Sequence, residues 1–197
     1  RRIRRDPRFD WSGFTFVTAA DIPGENVVAL ITDDQPALVE KTIRHAEEPV
    51  CLLAHRDRER LLAGVKAITL ECDPLPAALT IREGLARKAK IYGKDNIFKN
   101  IRIRKGDVRA GFRGAHRVIE GTYRTGLQEQ LYIETNGMIA IPERNGRISV
   151  HGSLQCPYYV HKTLMRLLGV GDDRVRVVQT TTGGGFGGKE AYPSILA

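Results

Sequence analysis

Thr182-Gly183-Gly184-Gly185-Phe186-Gly187-Gly188-Lys189-Glu190 is the stretch on which the reading of this chain turns. Five glycines occupy the six positions from Gly183 to Gly188. Such density reads as freedom to take positive φ and as room for another molecule to approach the backbone, not as packing. The run follows the strand pattern Val175-Arg176-Val177-Val178-Gln179 and reads as the entry to a helix, so its N–H groups are expected to form an anion nest. Gly183, Gly185 and Gly188 satisfy G-x-G-x-x-G, the dinucleotide fingerprint. A β-rich hairpin region precedes them, however, where that fingerprint needs the first strand of an alternating βαβ run. Gly183 to Lys189 also satisfies G-x-x-x-x-G-K, but Glu190 stands where the phosphate loop needs Ser or Thr, and a carboxylate there repels phosphate. A structural glycine turn is the third reading that the residues alone leave open.

Working outward, Asn145-Gly146 between two alternating runs, Met138 to Pro142 and Arg147 to His151, predicts a β-hairpin. Tyr159, Val160, Leu164, Leu167 and Leu168 recur at helical spacing, and Gly169 is a natural stop. His116 to Arg124 alternates and predicts a strand, so the pattern from Asp107 onward reads as mostly β. Toward the N-terminus, strands are predicted at Phe14 to Thr18, Val27 to Ile31, Pro49 to Ala54 and Ala67 to Cys72. A helix is predicted from about Arg56 to Lys66, with Leu61, Leu62 and Val65 on its inward face. These elements make a small α+β unit that closes near Leu85, and residues 86–106 read as a basic connecting arm.

The 197 residues suffice for one large domain or two small ones with a real core. Apolar residues are 42% and charged residues 27%, which excludes disorder along the whole chain. No run approaches the roughly 20 apolar residues of a transmembrane helix. Arg1-Arg2-Ile3-Arg4-Arg5 has no apolar stretch behind it and does not read as a secretory signal. The chain starts abruptly in this basic run and stops at Ser194-Ile195-Leu196-Ala197 without a cap, as a piece of a longer protein would. The formal charge is +8, and it is concentrated. From Arg82 to Arg117, twelve Lys and Arg face only Glu83, Asp95 and Asp107, a local net of +9. Such a segment suits an acidic partner, a phosphorylated cofactor or nucleic acid, so a non-catalytic assembly or nucleic-acid-binding protein is the alternative class. Its aromatics are only Tyr92, Phe98 and Phe112, and it contains no recognised nucleic-acid module. Cys51, Cys72 and Cys156 are scattered and odd in number, with no C-x-x-C, which argues against an iron–sulfur or structural zinc site made by this chain. They read as small buried apolar residues in a reducing, cytoplasmic compartment.

Gly183 to Glu190 resembles the pterin-loop signature of the xanthine dehydrogenase/aldehyde oxidase family of molybdenum hydroxylases. Gly126-Leu127-Gln128-Glu129-Gln130-Leu131-Tyr132-Ile133-Glu134-Thr135 resembles the family's G-x-Q-E-x-x-Y-x-E-T segment. Thr18-Ala19-Ala20-Asp21-Ile22-Pro23-Gly24 and, less closely, Pro49-Val50-Cys51-Leu52-Leu53-Ala54 resemble its a/b-hammerhead domain. The resemblance implies an α+β fold: hammerhead domain 1–85, basic arm 86–106, and residues 107–197 as the β-rich first part of a molybdopterin-binding domain.

What the resemblance further implies is a molybdenum hydroxylase that oxidises an N-heterocycle or aldehyde with water as the oxygen source. Gln128 is expected to bond an oxygen ligand of the molybdenum without bringing charge. Gly185, Phe186 and Gly187 are expected beside the cofactor, with the Gly187 N–H donating to a metal ligand and Phe186 stacking on a flat substrate. Glu190 is expected to position substrate by binding or polarising a heterocycle N–H. Lys189 is expected to be solvated or paired, and no protein side chain is expected to ligate the metal. The cofactor implied is a molybdenum-pterin, in molybdopterin or cytosine dinucleotide form. Iron–sulfur clusters and FAD are expected on partner subunits or domains, in an oligomeric enzyme. The chain departs from the family pattern at Glu47-Glu48-Pro49-Val50, where G-Q-P-V is common, at Gln130-Leu131, where His-Phe is common, and at Ala191, where an acidic or polar residue is common. The family's general-base glutamate falls beyond Ala197.

Overall fold

The computed structural model describes residues 2–28, 30 and 32–190. The chain divides into two compact units, one of Arg1–Cys72 with Glu129–Ala197 and the other of Asp73–Gln128.

In the first unit, β1 (Arg2–Arg5) and β4 (Ile68–Glu71) pair antiparallel, as do β2 (Thr15–Val17) and β3 (Leu52–Ala54). Strand β1 is an element that the sequence reading missed. Two of its three basic residues find partners in the strand: Arg4 pairs with Glu71 at 2.7 Å, and the Arg5 guanidinium lies 5.3 Å from the centre of the Phe16 ring. Between β3 and β4 runs α1 (Arg58–Lys66), started by the Asp57 carboxylate accepting the Arg60 N–H at 3.0 Å. Its inward face is Leu61 and the buried Gly64; Leu62 and Val65, expected to point inward, are exposed. The ring of Phe14 occupies the place beside Gly64, and a Cβ there would stand 2.6 Å from Phe14 Cε1.

Val27 to Ile31 does not become the expected strand over its described residues. Val28 is buried as expected, but its N–H donates to Gln35 O and Leu30 donates back to Val28 O, which closes a turn. Ala29 and Ile31 lie outside the described residues.

The larger sheet of the same unit has three strands in the order β5 (Met138–Pro142), β6 (Ile148–Gly152), β7 (Val175–Gln179). β5 and β6 form the predicted hairpin around Asn145-Gly146. β6 and β7 are parallel, and α4 (Pro157–Leu168) is the crossover that a parallel pair requires. The core lies between them, formed by Val150, Leu154, Val160, Thr163 and Val175. Gly169 stops α4 as predicted, and the Gly24 and Glu25 N–H groups cap two of its last carbonyls, Leu167 O and Arg166 O. The Thr18 to Gly24 segment is thereby docked on the end of α4.

The second unit carries two short helices, α2 (Ile81–Leu85) and α3 (Val108–Gly114). Thr80 and Asp107 cap them by accepting the Glu83 and Ala110 N–H groups. α3 corrects the expectation that the chain is mostly β from Asp107. The alternating segment His116 to Arg124 likewise forms no strand. Alternation supplies a face but no partner, and an unpaired strand leaves its backbone without a ladder. The expected arm is mostly irregular, but its first part is organised by Asn96. That side chain accepts the Ile91 and Tyr92 N–H groups and donates to Gly84 O and Ala89 O.

Cys72 is exposed and Cys51 and Cys156 are half-buried, which corrects the expectation that all three are buried. No helix among the described residues is long and apolar enough to cross a membrane.

Candidate functional site

Two parallel strands that end side by side deliver two chain segments to one place. β6 leads into Ser153-Leu154-Gln155, and β7 leads into the glycine loop; Thr180 N–H donates to Gly152 O and Gln155 N–H to Lys189 O, at 2.9 and 2.7 Å. Sites outside the carboxyl ends of parallel strands are a recurrent consequence of this arrangement. A third segment brings Tyr132 and Glu134 against the loop.

Each of the five glycines has its own reason. Gly184 and Gly187 hold φ of +93° and +92°, which a side chain disfavours. The other three are crowded by the protein's own side chains. A Cβ would stand 2.7 Å from Glu134 Cβ at Gly183, 2.4 Å from Gln155 Oε1 at Gly185 and 2.3 Å from Tyr132 Cε1 at Gly188. The expectation that the glycines do not serve packing is therefore corrected at three positions. What approaches the backbone closely there is the chain itself.

The loop is pinned by three polar side chains. The Glu134 carboxylate accepts from Lys189 Nζ at 2.6 Å, from the Gly183 N–H at 2.7 Å and from the Ser153 hydroxyl. These bonds, led by that of Lys189, hold the Glu134 carboxyl at about 2 against its ordinary 4.5. Lys189 is fully buried, its Nζ also donating to Ser153 Oγ at 3.0 Å and lying 4.9 Å from the centre of the Tyr132 ring. Of the two fates expected for Lys189, pairing is the one realised. Gln155 Oε1 accepts two loop amides, Gly187 N–H at 2.9 Å and Lys189 N–H at 3.2 Å. The Gly188 N–H closes onto Gly185 O at 2.7 Å, making a turn whose central residues, Phe186 and Gly187, both have positive φ.

The expected open anion nest is correspondingly narrower. The N–H groups of Gly183, Gly187, Gly188 and Lys189 have acceptors within the chain. Those of Gly184, Gly185 and Phe186, three in succession, have none among the described residues. Phe186 presents its ring outward, 75% exposed. The space over Gly187 is open: among the described residues, the one atom near the place a methyl would take is Glu190 Oε1, 4.0 Å away. Gly185, Phe186, Gly187 and Glu190 are thus brought together. Gln128 belongs to the other unit and is exposed. Whether a helix follows Glu190 is a matter for residues 191–197, outside those described. Burial, and then the charge of Glu190, push the Cys156 thiol up, which favours its protonated form. Among the described residues no three His, Cys, Asp or Glu side chains are placed to hold a metal ion.

Sequence reasoning missed Gln155 and Ser153, and gave Glu134 and Tyr132 no role beyond a motif. The signal for Gln155 was available in principle: it follows the predicted hairpin's second strand directly and so lies at the mouth of the sheet.

Residues 91–197 match the family model described as a molybdopterin cofactor-binding domain. The chain is 31% identical over 169 residues to the nicotinate dehydrogenase large molybdopterin subunit of Eubacterium barkeri, covering 85% of this chain and 40% of that protein. It is 30% identical over 187 residues to a probable xanthine dehydrogenase subunit of Bacillus subtilis, covering 92% of this chain and 25% of that one. Rat xanthine dehydrogenase/oxidase is 33% identical over 185 residues, covering 92% of this chain and 13% of its own. The chain therefore spans well under half the length of these relatives. Among solved structures, quinoline 2-oxidoreductase from Pseudomonas putida 86 shares the fold with a TM-score of 0.79 at 22% identity, over 99% of this chain and 26% of its own. The aldehyde oxidoreductase of Desulfovibrio gigas does so with a TM-score of 0.76 at 19% identity, over 88% and 20%.

Proposed function

The chain belongs to the molybdopterin cofactor-binding domain family, and we propose that it forms part of the catalytic subunit of a molybdenum hydroxylase acting on an N-heterocycle or an aldehyde. The observation that carries this reading is the joining of two motifs distant in sequence. Glu134, from the segment after Gln128, binds both Gly183 and Lys189, at the two ends of the glycine loop. What this joining leaves facing outward fits a pterin-bound metal centre: an open backbone at Gly187 and an exposed flat ring at Phe186. When bound, the group supplies oxidation of an electron-poor carbon with water as the oxygen source.

The chain's residues have these parts in the proposal. Gly185, Phe186 and Gly187 lie along the cofactor and offer it backbone. The Gly187 N–H, held by Gln155 in this structure, contributes through its position rather than as a free donor. Gln128 supplies neutral N–H donors to an oxygen of the centre. The Phe186 ring stacks on a flat substrate. The Glu190 carboxylate, close to Gly187, accepts an N–H of a bound heterocycle and orients it. The proposal also includes a hammerhead domain over 1–85, a basic arm over 86–106 and the start of the cofactor-binding domain over 107–197. It includes the pterin as molybdopterin or its cytosine dinucleotide, partner subunits or domains bearing iron–sulfur clusters and FAD, an oligomeric whole and a cytoplasmic setting. The names of the relatives, nicotinate and xanthine dehydrogenases, support a planar N-heterocycle as substrate.

The test is elemental analysis of the native complex recovered through this chain. About one molybdenum per catalytic subunit is expected. Its absence, in cells that make the cofactor, overturns the proposal. In the same enzyme, Gln128→Ala and Glu190→Ala are expected to lower turnover by roughly tenfold to a hundredfold without unfolding it. Wild-type turnover in both removes these residue roles.

A further inference from the structure

Phe186 holds φ at +51°. A bulky residue takes that conformation only where its surroundings impose it. Its own ring is largely exposed and imposes little. The turn is closed by one backbone bond, Gly188 N–H to Gly185 O. Beyond that bond, Tyr132 packs beside Gly188, and the side chain that hydrogen-bonds the turn is Gln155. Its Oε1 receives Gly187 N–H and Lys189 N–H, its backbone N–H donates to Lys189 O, and its side chain fills the space beside Gly185. One side chain thus touches Gly185, Gly187 and Lys189, on both sides of Phe186. Glu134 anchors the loop's ends, at Gly183 and Lys189, and leaves the side-chain hydrogen bonding of the turn to Gln155.

We propose that Gln155 is a positioning residue: its amide oxygen locks the Gly185–Gly188 turn and so aims the exposed Phe186 ring and the open backbone at Gly187 at the cofactor. The aim at a cofactor rests on the function proposed above; the lock on the turn does not.

Two variants of the assembled enzyme separate the acceptor from the packing. Gln155→Met keeps length and volume and removes the acceptor; Gln155→Glu keeps the acceptor. Hydrogen exchange of the peptide spanning Gly183 to Glu190 is expected to quicken about five- to tenfold in Gln155→Met, the loss of one to two neutral hydrogen bonds. Gln155→Glu is expected to restore protection. At unchanged molybdenum content and KM, Gln155→Met is expected to lower kcat and alter the Mo(V) electron paramagnetic resonance signal, and Gln155→Glu to return the signal toward wild type. Wild-type exchange in Gln155→Met overturns the lock. Faster exchange with wild-type kcat and signal overturns the positioning role. A wild-type enzyme without molybdenum sinks the proposed function and the aim at the cofactor, while the exchange comparison still judges the lock. Should Gln155→Met fail to assemble, Gln155→Asn, which withdraws the acceptor by one methylene, carries the same comparison.

Discussion

A phenylalanine inside five glycines looks like an intruder, and the backbone angles show what it costs. A side chain in the left-handed region loses about 1 kcal/mol or more against its preferred conformation. Asn tolerates that region better than Phe, and it spares the unfolded chain the extra freedom that Gly would add. Because the Phe186 ring is 75% exposed, little burial is lost with it. Phe186→Asn is therefore expected to stabilise the chain by about 0.5–1 kcal/mol, read as a higher urea midpoint, while lowering turnover of the whole enzyme. A destabilised variant would mean that the ring packs more than its exposure indicates. Glu134 carries the complementary prediction. Its carboxyl is held at about 2, below the ordinary 4.5, so the stability it contributes is complete above about 4.5 and is lost as pH falls toward 2. Glu134→Gln is expected to be less stable at neutral pH, where Lys189 is left buried without its carboxylate. The gap to wild type should narrow between pH 4.5 and pH 2. A gap that stays constant over that window would show that the charge of Glu134 plays no part. At this scale the sequence displayed the loop and its outward Phe186, but not the inward partners. Spacing says nothing about which side chains, dozens of positions away, will crowd a glycine, as Tyr132, Glu134 and Gln155 do.

Elements were legible wherever a local pattern agreed with what lay beside it. The hairpin at Asn145-Gly146, the crossover helix α4 and strand β7 form where periodicity and turn residues place them. Where pattern and surroundings disagreed, surroundings won. His116 to Arg124 alternates without forming a pair, and β1 pairs although its sequence reads only as a basic run. Helix α1 has the right span but another inward face, because Phe14 and Leu53 take the room beside Gly64. That substitution of face can be tested against helix propensity. An isolated helix gains about 0.5–1 kcal/mol when an interior Gly becomes Ala. Gly84 in α2 has nothing within 4 Å of where a Cβ would stand, so Gly84→Ala should show that gain. Gly64→Ala should show the opposite sign, since its methyl meets Phe14 at 2.6 Å and Leu53 at 3.2 Å. Denaturant midpoints of the two variants check this directly. A stabilising Gly64→Ala would mean that the Phe14 ring moves aside at no cost.

At the scale of the whole molecule, the first unit is assembled from segments far apart in sequence, and α4 is where they are tied. Besides the two carbonyls capped by Gly24 and Glu25, the Arg166 guanidinium binds the carboxylates of both Glu25 and Asp33, across 141 and 133 residues. Leu167 beside it packs, as Leu30 does, against the buried cluster of Val28 and Ala37. The sequence offered Arg166 only as one cation on a helix, because the long-range pairing of charges leaves no periodic trace. These carboxylates are half to two-thirds exposed, so the attraction passes partly through water and is open to screening. Salt then separates charge from packing. Arg166→Met keeps the unbranched stem and removes the fork, and at low ionic strength it should melt below wild type. At about 1 M salt, where the screening length is roughly 3 Å, the difference should shrink by half or more. If it does not, Arg166 acts through its stem and through the capped carbonyls behind it, and the ion pairs with Glu25 and Asp33 follow from a docking that the backbone and the Val28 cluster already determine.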